Sequence, residues 1–320
     1  MKKIILISGD PNSINSEIII KSWKSLNKSL KKKLYIISNY DLMKDQFKML
    51  KFNKKIIKVN NVNEKQNETS FKVINVNCYY EHPFKVSREN SSKFVNKCFD
   101  LAHKLSLKKN ILGMINCPID KTLLNKKNIG VTELLAEKCK IKNKSEVMLI
   151  KNKKFSISPI TTHIDIKNVS KNIRTKIIIS KVITINNFLK KILSKKPNIG
   201  VLGLNPHNGE MRKDSEEKKV IVPAISSLKK KGIKLNGPLV ADTIFIKDFK
   251  DYDVIVGMYH DQVLAPFKSI FKFDAINITL GLKYLRTSPD HGTARNIILK
   301  NKANPKSLIE CINFVNKFRL

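Results

Sequence analysis

The stretch YDVIVGMYHDQVLAPFK occupies residues 252–268. Its residues 254–258 are apolar or Gly, which is typical of a strand buried on both faces. A Tyr, a His and an Asp follow at once, and a Pro and a Lys lie just beyond. Either His260 and Asp261 are loop residues that happen to be polar, or the strand delivers them to a functional site.

Short apolar, β-branched runs recur along the whole chain, at residues 4–8, 33–38, 111–117, 176–180, 198–204, 253–258 and 275–280. Stretches with helical periodicity lie between several of them, at residues 17–30, 91–107 and 183–193. Strands that alternate with helices predict an α/β fold with largely parallel sheets. The polar residues 61–70 predict an exposed loop.

The length of 320 residues favours two domains that share a cleft over one large core. No apolar run reaches the roughly 18 residues that a membrane span needs. The N-terminal apolar stretch ends at Gly9-Asp10-Pro11, before the apolar region of a signal peptide could form, so it predicts a first core strand. We therefore expect a soluble, cytoplasmic protein that does not contact a membrane.

The formal charge of +36 suggests nucleic acid as a partner, but two details weigh against it. Only six of the 62 basic residues are Arg, the side chain that reads bases and phosphates as a fork. The lysines are also spread along the chain together with Asn and Ile. We expect no nucleic-acid partner, although a positive field favours an anionic small substrate. The five cysteines are far apart and predict reduced thiols.

Three of the six histidines stand just beyond predicted strands: His163 in PITTHIDI, His207 in GLNPHNGE and His260. Ligands gather at the carboxyl ends of parallel strands, so the three imidazoles could assemble a catalytic metal site. Imidazoles suit Zn, Co or Fe better than Ca, and Asp242 and Asp261 are candidates to support them. The alternative, in which each His bonds to nearby backbone, stays open.

Lys268, Asn277 and Arg286 follow His260, and a Lys and an Arg near strand ends can form a phosphate or carboxylate receptor. For Arg286 the alternative is a surface ion pair. The segment GDPNSINSE at residues 9–17 contains good helix-start residues, so it predicts either a capped helix or an anion site at a helix start. The dinucleotide glycine fingerprint, the phosphate loop and the Gly-x-Ser-x-Gly elbow are absent from the sequence.

Several segments of the chain, taken in their order along the sequence, resemble the 4-hydroxythreonine-4-phosphate dehydrogenase family of vitamin B6 biosynthesis. The matching blocks include GDPNSINSE, CPIDK, GVTELLAEK, TTHIDI, GLNPHNGE, GPLVADTIF, YDVIVGMYHDQ and NITLGLKYLRTSPDHGTA, between residues 9 and 294. The resemblance implies oxidation of a secondary alcohol with NAD or NADP. The product would be a β-keto acid that loses CO2 to give 3-amino-2-oxopropyl phosphate.

The resemblance also implies a homodimer with active sites at the subunit interface and one divalent metal (Zn, Mg or Co) per subunit, held by His163, His207 and His260. It implies the fold of the isocitrate and isopropylmalate dehydrogenases, with an active-site cleft between two α/β/α domains. We expect a first domain at residues 1–122 and 286–320, and a second, with the metal ligands and dimer contacts, at 123–285.

The family's substrate contacts correspond to Thr132, Lys268, Asn277 and Arg286, whereas Asp290 and His291 are candidates to face the cofactor. The chain departs from the family pattern at Val131, where the family has a His, and at three glycine positions: Ser13, Asn15 and Val263. Val131 removes a polar substrate contact. A dehydrogenase of D-threonate or D-erythronate 4-phosphate is therefore the alternative enzyme, and a basic protein with an inactivated dehydrogenase fold is the non-enzymatic alternative.

Overall fold

The structure, a computed structural model, describes residues 1–64, 70–124, 130–142, 145–272 and 274–318. The chain divides into two compact units, the terminal unit (Met1–Ile129 with Lys283–Leu320) and the central unit (Gly130–Leu282). The predicted domain boundaries differ from these by a few residues. Both units combine strands with helices, so the predicted α/β class is confirmed. The cleft and the likeness to isocitrate and isopropylmalate dehydrogenases stay predictions.

The described residues form twelve strands. In chain order these are β1 (Lys3–Ile7), β2 (Leu34–Ser38), β3 (Ile56–Val59), β4 (Phe71–Asn75), β5 (Ile111–Asn116), β6 (Val147–Lys151), β7 (Ser156–Pro159), β8 (Ile199–Leu202), β9 (Leu235–Leu239), β10 (Val254–Gly257), β11 (Ile276–Leu280) and β12 (Arg286–Pro289).

Eleven α-helices lie in the same described ranges. They are α1 (Asn15–Ser25), α2 (Lys28–Lys33), α3 (Tyr40–Met49), α4 (Arg88–Ser106), α5 (Val131–Lys138), α6 (Val169–Asn172), α7 (Thr175–Leu193), α8 (Val222–Lys230), α9 (Ala241–Ile244), α10 (His260–Phe271) and α11 (Lys306–Lys317). A π-helical turn, Glu217–Ile221, leads directly into α8.

The terminal unit is built on six parallel strands in the order β3-β4-β2-β1-β5-β12. In β1, the four side chains from Ile4 to Ile7 are all buried, as expected when helices cover both faces of a sheet. Helix α4 packs against β1, β2 and β5, and α11 packs against β5 and β12. The carboxyl ends of β1, β5 and β12 therefore lie side by side at one edge.

The central unit has the strand order β11-β6-β7-β10-β8-β9, in which β7, β10, β8 and β9 run parallel and β6 runs antiparallel to both of its neighbours. Val254 of β10 is level with Ser156 of β7 and with Ile199 of β8. Helix α10 packs on β7 and β10, and its Val263 and Phe267 are fully buried. The strands that precede His163, His260 and His207 are thus adjacent and parallel.

Two predicted elements are wrong. Residues 176–180 were expected to be a strand because they contain three consecutive isoleucines, but they begin helix α7. Its buried positions include Ile178, Val182, Ile185 and Leu189, a spacing that places them on one helix face and outweighs the β-propensity of Ile. The predicted helix 17–30 is two helices, because Asn27 caps α2 by accepting from the Leu30 N–H.

The five cysteines are free thiols, as predicted. Within the described ranges, the structure has no helix with the length and apolar character that crossing a membrane requires. The predicted loop 61–70 lies partly outside the described residues. Its described part, residues 61–64 and 70, belongs to no strand or helix.

Candidate active site

Two of the three predicted metal ligands lie side by side in the central unit. His163 follows β7 and His260 is the first residue of α10, directly after β10. The centroids of their rings are 5.6 Å apart, with an angle of 44° between the ring planes. They are neighbours because β7 and β10 are adjacent parallel strands that end at the same level, at Pro159 and Gly257.

The ring of His260 is held by its sequence neighbour. His260 Nδ1 lies 2.6 Å from Asp261 Oδ1, a short hydrogen bond that is consistent with the carboxylate accepting from an Nδ1–H. With Nδ1 occupied in this way, Nε2 is the ring nitrogen that remains for a ligand. Asp261 therefore contacts the ring of His260, and its role as a supporting carboxylate stays a prediction.

His207 lies in a different setting. Its Nε2 is 3.9 Å from Asp242 Oδ2 and its Nδ1 is 3.4 Å from Glu210 Oε1, and the side chain is exposed. The 3.9 Å separation is too long for a hydrogen bond. Among the described residues, no group of three or more His, Cys, Asp or Glu side chains is placed to hold a metal ion. One chain thus pairs His163 with His260 but does not complete the predicted trio.

The start of α5 packs on the ring of His163. A Cβ atom on Gly130 would lie 2.8 Å from His163 Cδ2 and 2.6 Å from Glu133 Oε2, so a larger residue here would require one of these side chains to shift. Glu133 Oε1 accepts from the hydroxyl of Thr162, whereas its buried Oε2 has no partner among the described residues. Sequence reasoning missed Glu133, although it lies within the GVTEL block.

The predicted substrate contacts of the central unit lie on α5, β11 and α10. Thr132 is buried, and its hydroxyl is 3.1 Å from that of Thr279 on β11. Asn277 lies on the same face of β11 as Thr279, since side chains alternate along a strand. Its Oδ1 is shielded from water and has no hydrogen-bond partner in the described part of the chain. Lys268 lies on α10, two helical turns after His260.

In the terminal unit, Arg286 opens β12 and is only 3% exposed, so the alternative of a surface ion pair is wrong. Its Nε donates to Asn116 Oδ1 at 2.8 Å, at the end of the adjacent strand β5. Asp290 and His291 directly follow β12. The Asp290 N–H donates to Ser307 Oγ, and His291 Nδ1 is 3.0 Å from the carbonyl oxygen of Gly292.

Arg295 connects three loops of the terminal unit. Its Nη2 donates to Asp10 Oδ2 at 3.0 Å and to Asp120 Oδ2 at 3.1 Å, in the loops after β1 and β5. The pKa of Asp120 is lowered, first by hydrogen bonds from Thr122 and then by the nearby Arg295. The pKa of Arg295 is raised, chiefly by its hydrogen bond to Asp10. Sequence reasoning missed Arg295, whose signal was the scarcity of Arg.

The segment GDPNSINSE leads into α1, whose N-cap residue Ile14 makes no side-chain cap hydrogen bond. The N–H of Asn12 donates to Asp10 Oδ1, the N–H of Ile14 to the carbonyl of Thr293, and the N–H of Asn15 to Ser13 Oγ. These three N–H groups already have partners within the protein, and the choice between a capped helix and an anion site stays open.

Ionisable side chains at the carboxyl ends of adjacent parallel strands are typical of the active site of an α/β enzyme. Residues 15–315 match the family model of the pyridoxal phosphate biosynthetic protein PdxA. The chain belongs to this family.

Solved and curated relatives agree with this assignment. The chain is 38% identical to the 4-hydroxythreonine-4-phosphate dehydrogenase of Sulfurihydrogenibium sp., over 98% of this chain and 97% of the relative. It is 33% identical to the D-threonate 4-phosphate dehydrogenase of Salmonella typhimurium, over 66% of each chain. The crystal structure of 4-hydroxythreonine-4-phosphate dehydrogenase from Klebsiella pneumoniae superposes with a TM-score of 0.82 at 26% identity, over 99% of both chains.

Proposed function

We propose that this dehydrogenase oxidises the secondary alcohol of 4-phosphohydroxy-L-threonine, with NAD or NADP as the hydride acceptor. The carbon that bears the hydroxyl gives a hydride to the oxidised cofactor, and the hydroxyl gives up a proton. The product, 2-amino-3-oxo-4-phosphooxybutanoate, then loses CO2 to give 3-amino-2-oxopropyl phosphate, a step in pyridoxal 5′-phosphate biosynthesis. The observation that carries the proposal is the pair His163 and His260 at adjacent strand ends of a PdxA-family chain.

A divalent metal ion (Zn, Mg or Co) is part of the proposal, and the two rings fit one. With a metal–nitrogen distance of about 2.0–2.1 Å, an ion lies about 3 Å from the centroid of an imidazole ligand, so two such centroids can be up to about 6 Å apart. The observed 5.6 Å is within that limit. When bound, the ion would polarise the substrate hydroxyl and stabilise negative charge on the oxygen during decarboxylation.

The proposed roles of the chain's own residues are to orient the metal ligands and to bind the substrate. Asp261 fixes the ring of His260, and Asp242 is proposed to support His207. In the central unit, Thr132, Asn277 and Lys268 are the proposed substrate contacts.

In the terminal unit, Arg286 is the proposed contact for a substrate anion, because a guanidinium matches phosphate or carboxylate with paired donors. Asp290 and His291 are the proposed cofactor contacts.

A homodimer would complete the metal site. One chain brings together His163 and His260 only, and the exposed His207 remains for the site of a partner subunit. Large apolar side chains close to these histidines and to Asp242 in sequence are exposed, and a partner subunit placed at this site would cover them. They are Ile164 (40%), Ile166 (69%), Met211 (40%) and Ile246 (74%).

The test is His260→Ala, assayed for bound metal and for NADH formation with 4-phosphohydroxy-L-threonine. We expect metal content to fall severalfold and turnover to fall at least about 100-fold, since a ligand is lost. His103→Gln is the matched control, because His103 pairs with Tyr284 in the terminal unit and has no proposed role. Full activity with normal metal content in His260→Ala would contradict the proposal.

The second candidate is a dehydrogenase of D-threonate or D-erythronate 4-phosphate. It is favoured by the Salmonella relative and by Val131, which offers no hydrogen bond where the family has a His. A comparison of kcat/KM for 4-phosphohydroxy-L-threonine and D-erythronate 4-phosphate separates the two. We expect the amino substrate to be preferred, and a preference for the sugar acid would transfer the assignment to this second candidate.

A further inference from the structure

The segment that carries His207 has an unusual backbone. Five consecutive residues have left-handed φ values: His207 (49°), Asn208 (59°), Gly209 (57°), Glu210 (48°) and Met211 (52°). Only one of them is Gly, and residues with a Cβ enter this region at a steric cost. Such a segment persists only when its surroundings hold it in place.

A buried carboxylate lies at the base of this turn. Glu217, the first residue of the π-helical turn before α8, is 0% exposed. Its Oε1 accepts from the backbone N–H groups of Leu204 and Asn205, both at 2.7 Å, and its Oε2 accepts from Asn205 Nδ2 at 3.0 Å. These donors lie directly before the left-handed turn.

Two glycines make room for this carboxylate. A Cβ atom on Gly209 would lie 2.9 Å from Glu217 Oε2, and one on Gly203 would lie 3.2 Å from Glu217 Oε1. The chain therefore wraps around the carboxylate before and after His207. A further hydrogen bond connects the turn to strand β9, because Asn208 Nδ2 donates to the carbonyl oxygen of Pro238 at 3.1 Å.

The hydrogen bonds favour the charged form of Glu217. Burial is the largest single influence on its pKa and raises it, but the hydrogen bonds from Asn205, from its own backbone N–H and from Leu204 together outweigh burial, so the pKa lies below its usual value. Bonds to an ionised acceptor are roughly twice as strong as neutral ones.

We propose that Glu217 is the positioning residue of His207: its carboxylate fixes Leu204 and Asn205, and thereby the left-handed turn that presents the imidazole. The inference rests on the proposed metal role of His207. Glu217 itself is fully buried and has no proposed contact with substrate or cofactor. Its action is on the geometry of a ligand that is ten positions away in sequence and otherwise exposed.

The test uses cobalt(II) titration of the whole protein, followed by visible absorption. Glu217→Met keeps the length of the side chain and removes the acceptor, and we expect cobalt affinity to fall about 10- to 100-fold, the usual loss when support for a ligand is removed. Glu217→Gln keeps one acceptor oxygen, so it should restore affinity to within about fivefold of wild type. Glu216→Met is the control, because in the described part of the chain Glu216 accepts from the side chain of Asn205 and not from the backbone N–H groups before the turn.

A double-mutant cycle separates positioning from general damage. In a His207→Ala background, Glu217→Met should weaken cobalt binding by no more than about twofold, because the residue that it positions is gone. An equal loss in both backgrounds, or wild-type affinity in Glu217→Met, would overturn the inference.

Amide hydrogen exchange of the metal-free protein tests the positioning role of Glu217 independently of metal binding. If the wild-type protein does not bind cobalt, the metal proposal fails, but Glu217→Met should still speed exchange at the Leu204 and Asn205 amides by at least about tenfold. Unchanged exchange at these two amides would overturn the positioning role whatever the metal result.

Discussion

Val263 shows how a single departure from the family pattern is accommodated. It lies inside α10, where a side chain supports a helix better than Gly does, and it is fully buried. The space for it comes from Gly257 at the end of β10: a Cβ atom on Gly257 would lie only 2.5 Å from Val263 Cγ1. Val263 and Gly257 therefore have to be considered as a pair.

This pairing predicts that Gly257→Ala lowers the free energy of unfolding by about 1–3 kcal/mol through overpacking. Val263→Ala removes the atom that is in the way, so the double variant should be about 1 kcal/mol more stable than the sum of the single changes. Urea unfolding of the four proteins measures the coupling. Strict additivity would contradict the contact.

The loop after β1 and the first residue of α1 carry hydrogen-bonding side chains, Ser13 and Asn15, where the family has glycines. Asn15 Nδ2 donates to the carbonyl oxygen of Pro118 at 2.8 Å and to that of Asp10 at 3.3 Å, and Ser13 Oγ also donates to the carbonyl of Asp10. The side chain of Asn15 thus joins the loop after β1 to the loop after β5. These hydrogen bonds restrict the backbone conformation at positions where glycine would leave it free.

Asn15→Ala is expected to lower the free energy of unfolding by about 1–2 kcal/mol, because two hydrogen bonds are lost, although each carbonyl keeps a second donor. Ser25→Ala, at the other end of α1, is the control and should change stability by no more than about 0.5 kcal/mol, as for most surface substitutions. Denaturant unfolding checks both variants. A loss below about 0.5 kcal/mol in Asn15→Ala would show that the hydrogen bonds of Asn15 do not stabilise the protein.

The sequence predicted those elements whose pattern is local. The apolar runs that became β1, β5 and β10 are continuous and buried, and His163 and His260 follow neighbouring strands. The isoleucines at 177–179 misled because β-propensity and helical spacing pointed in opposite directions, and tertiary packing on one face of α7 decided between them.

Other parts of the site have no local signature. Glu217 stands in a run of charged residues that suggests a solvated surface, and its burial depends on Leu204 and Asn205, which are remote in sequence. The sequence does not predict the left-handed turn at His207 either, because four of its five residues are not Gly. Strand order, which places β10 between β7 and β8, emerges only from long-range pairing.

The proposed metal site depends on which chain supplies each imidazole. His163 and His260 are neighbours within one chain, whereas His207 is exposed on its left-handed turn and, among the described residues, completes no group of three ligands. If a symmetric dimer forms each site from His163 and His260 of one subunit and His207 of the other, the three ligands divide in a pattern that activity can report.

The most direct measurement mixes inactive single variants, dissociates and reassociates the subunits, and assays NADH formation. Equal mixtures of His163→Ala with His207→Ala, and of His260→Ala with His207→Ala, should regain about a quarter of wild-type activity, because half of the dimers then hold one intact site. A mixture of His163→Ala with His260→Ala should stay inactive, since each site still lacks one ligand. Absence of recovery in all three mixtures would contradict a metal site shared between subunits.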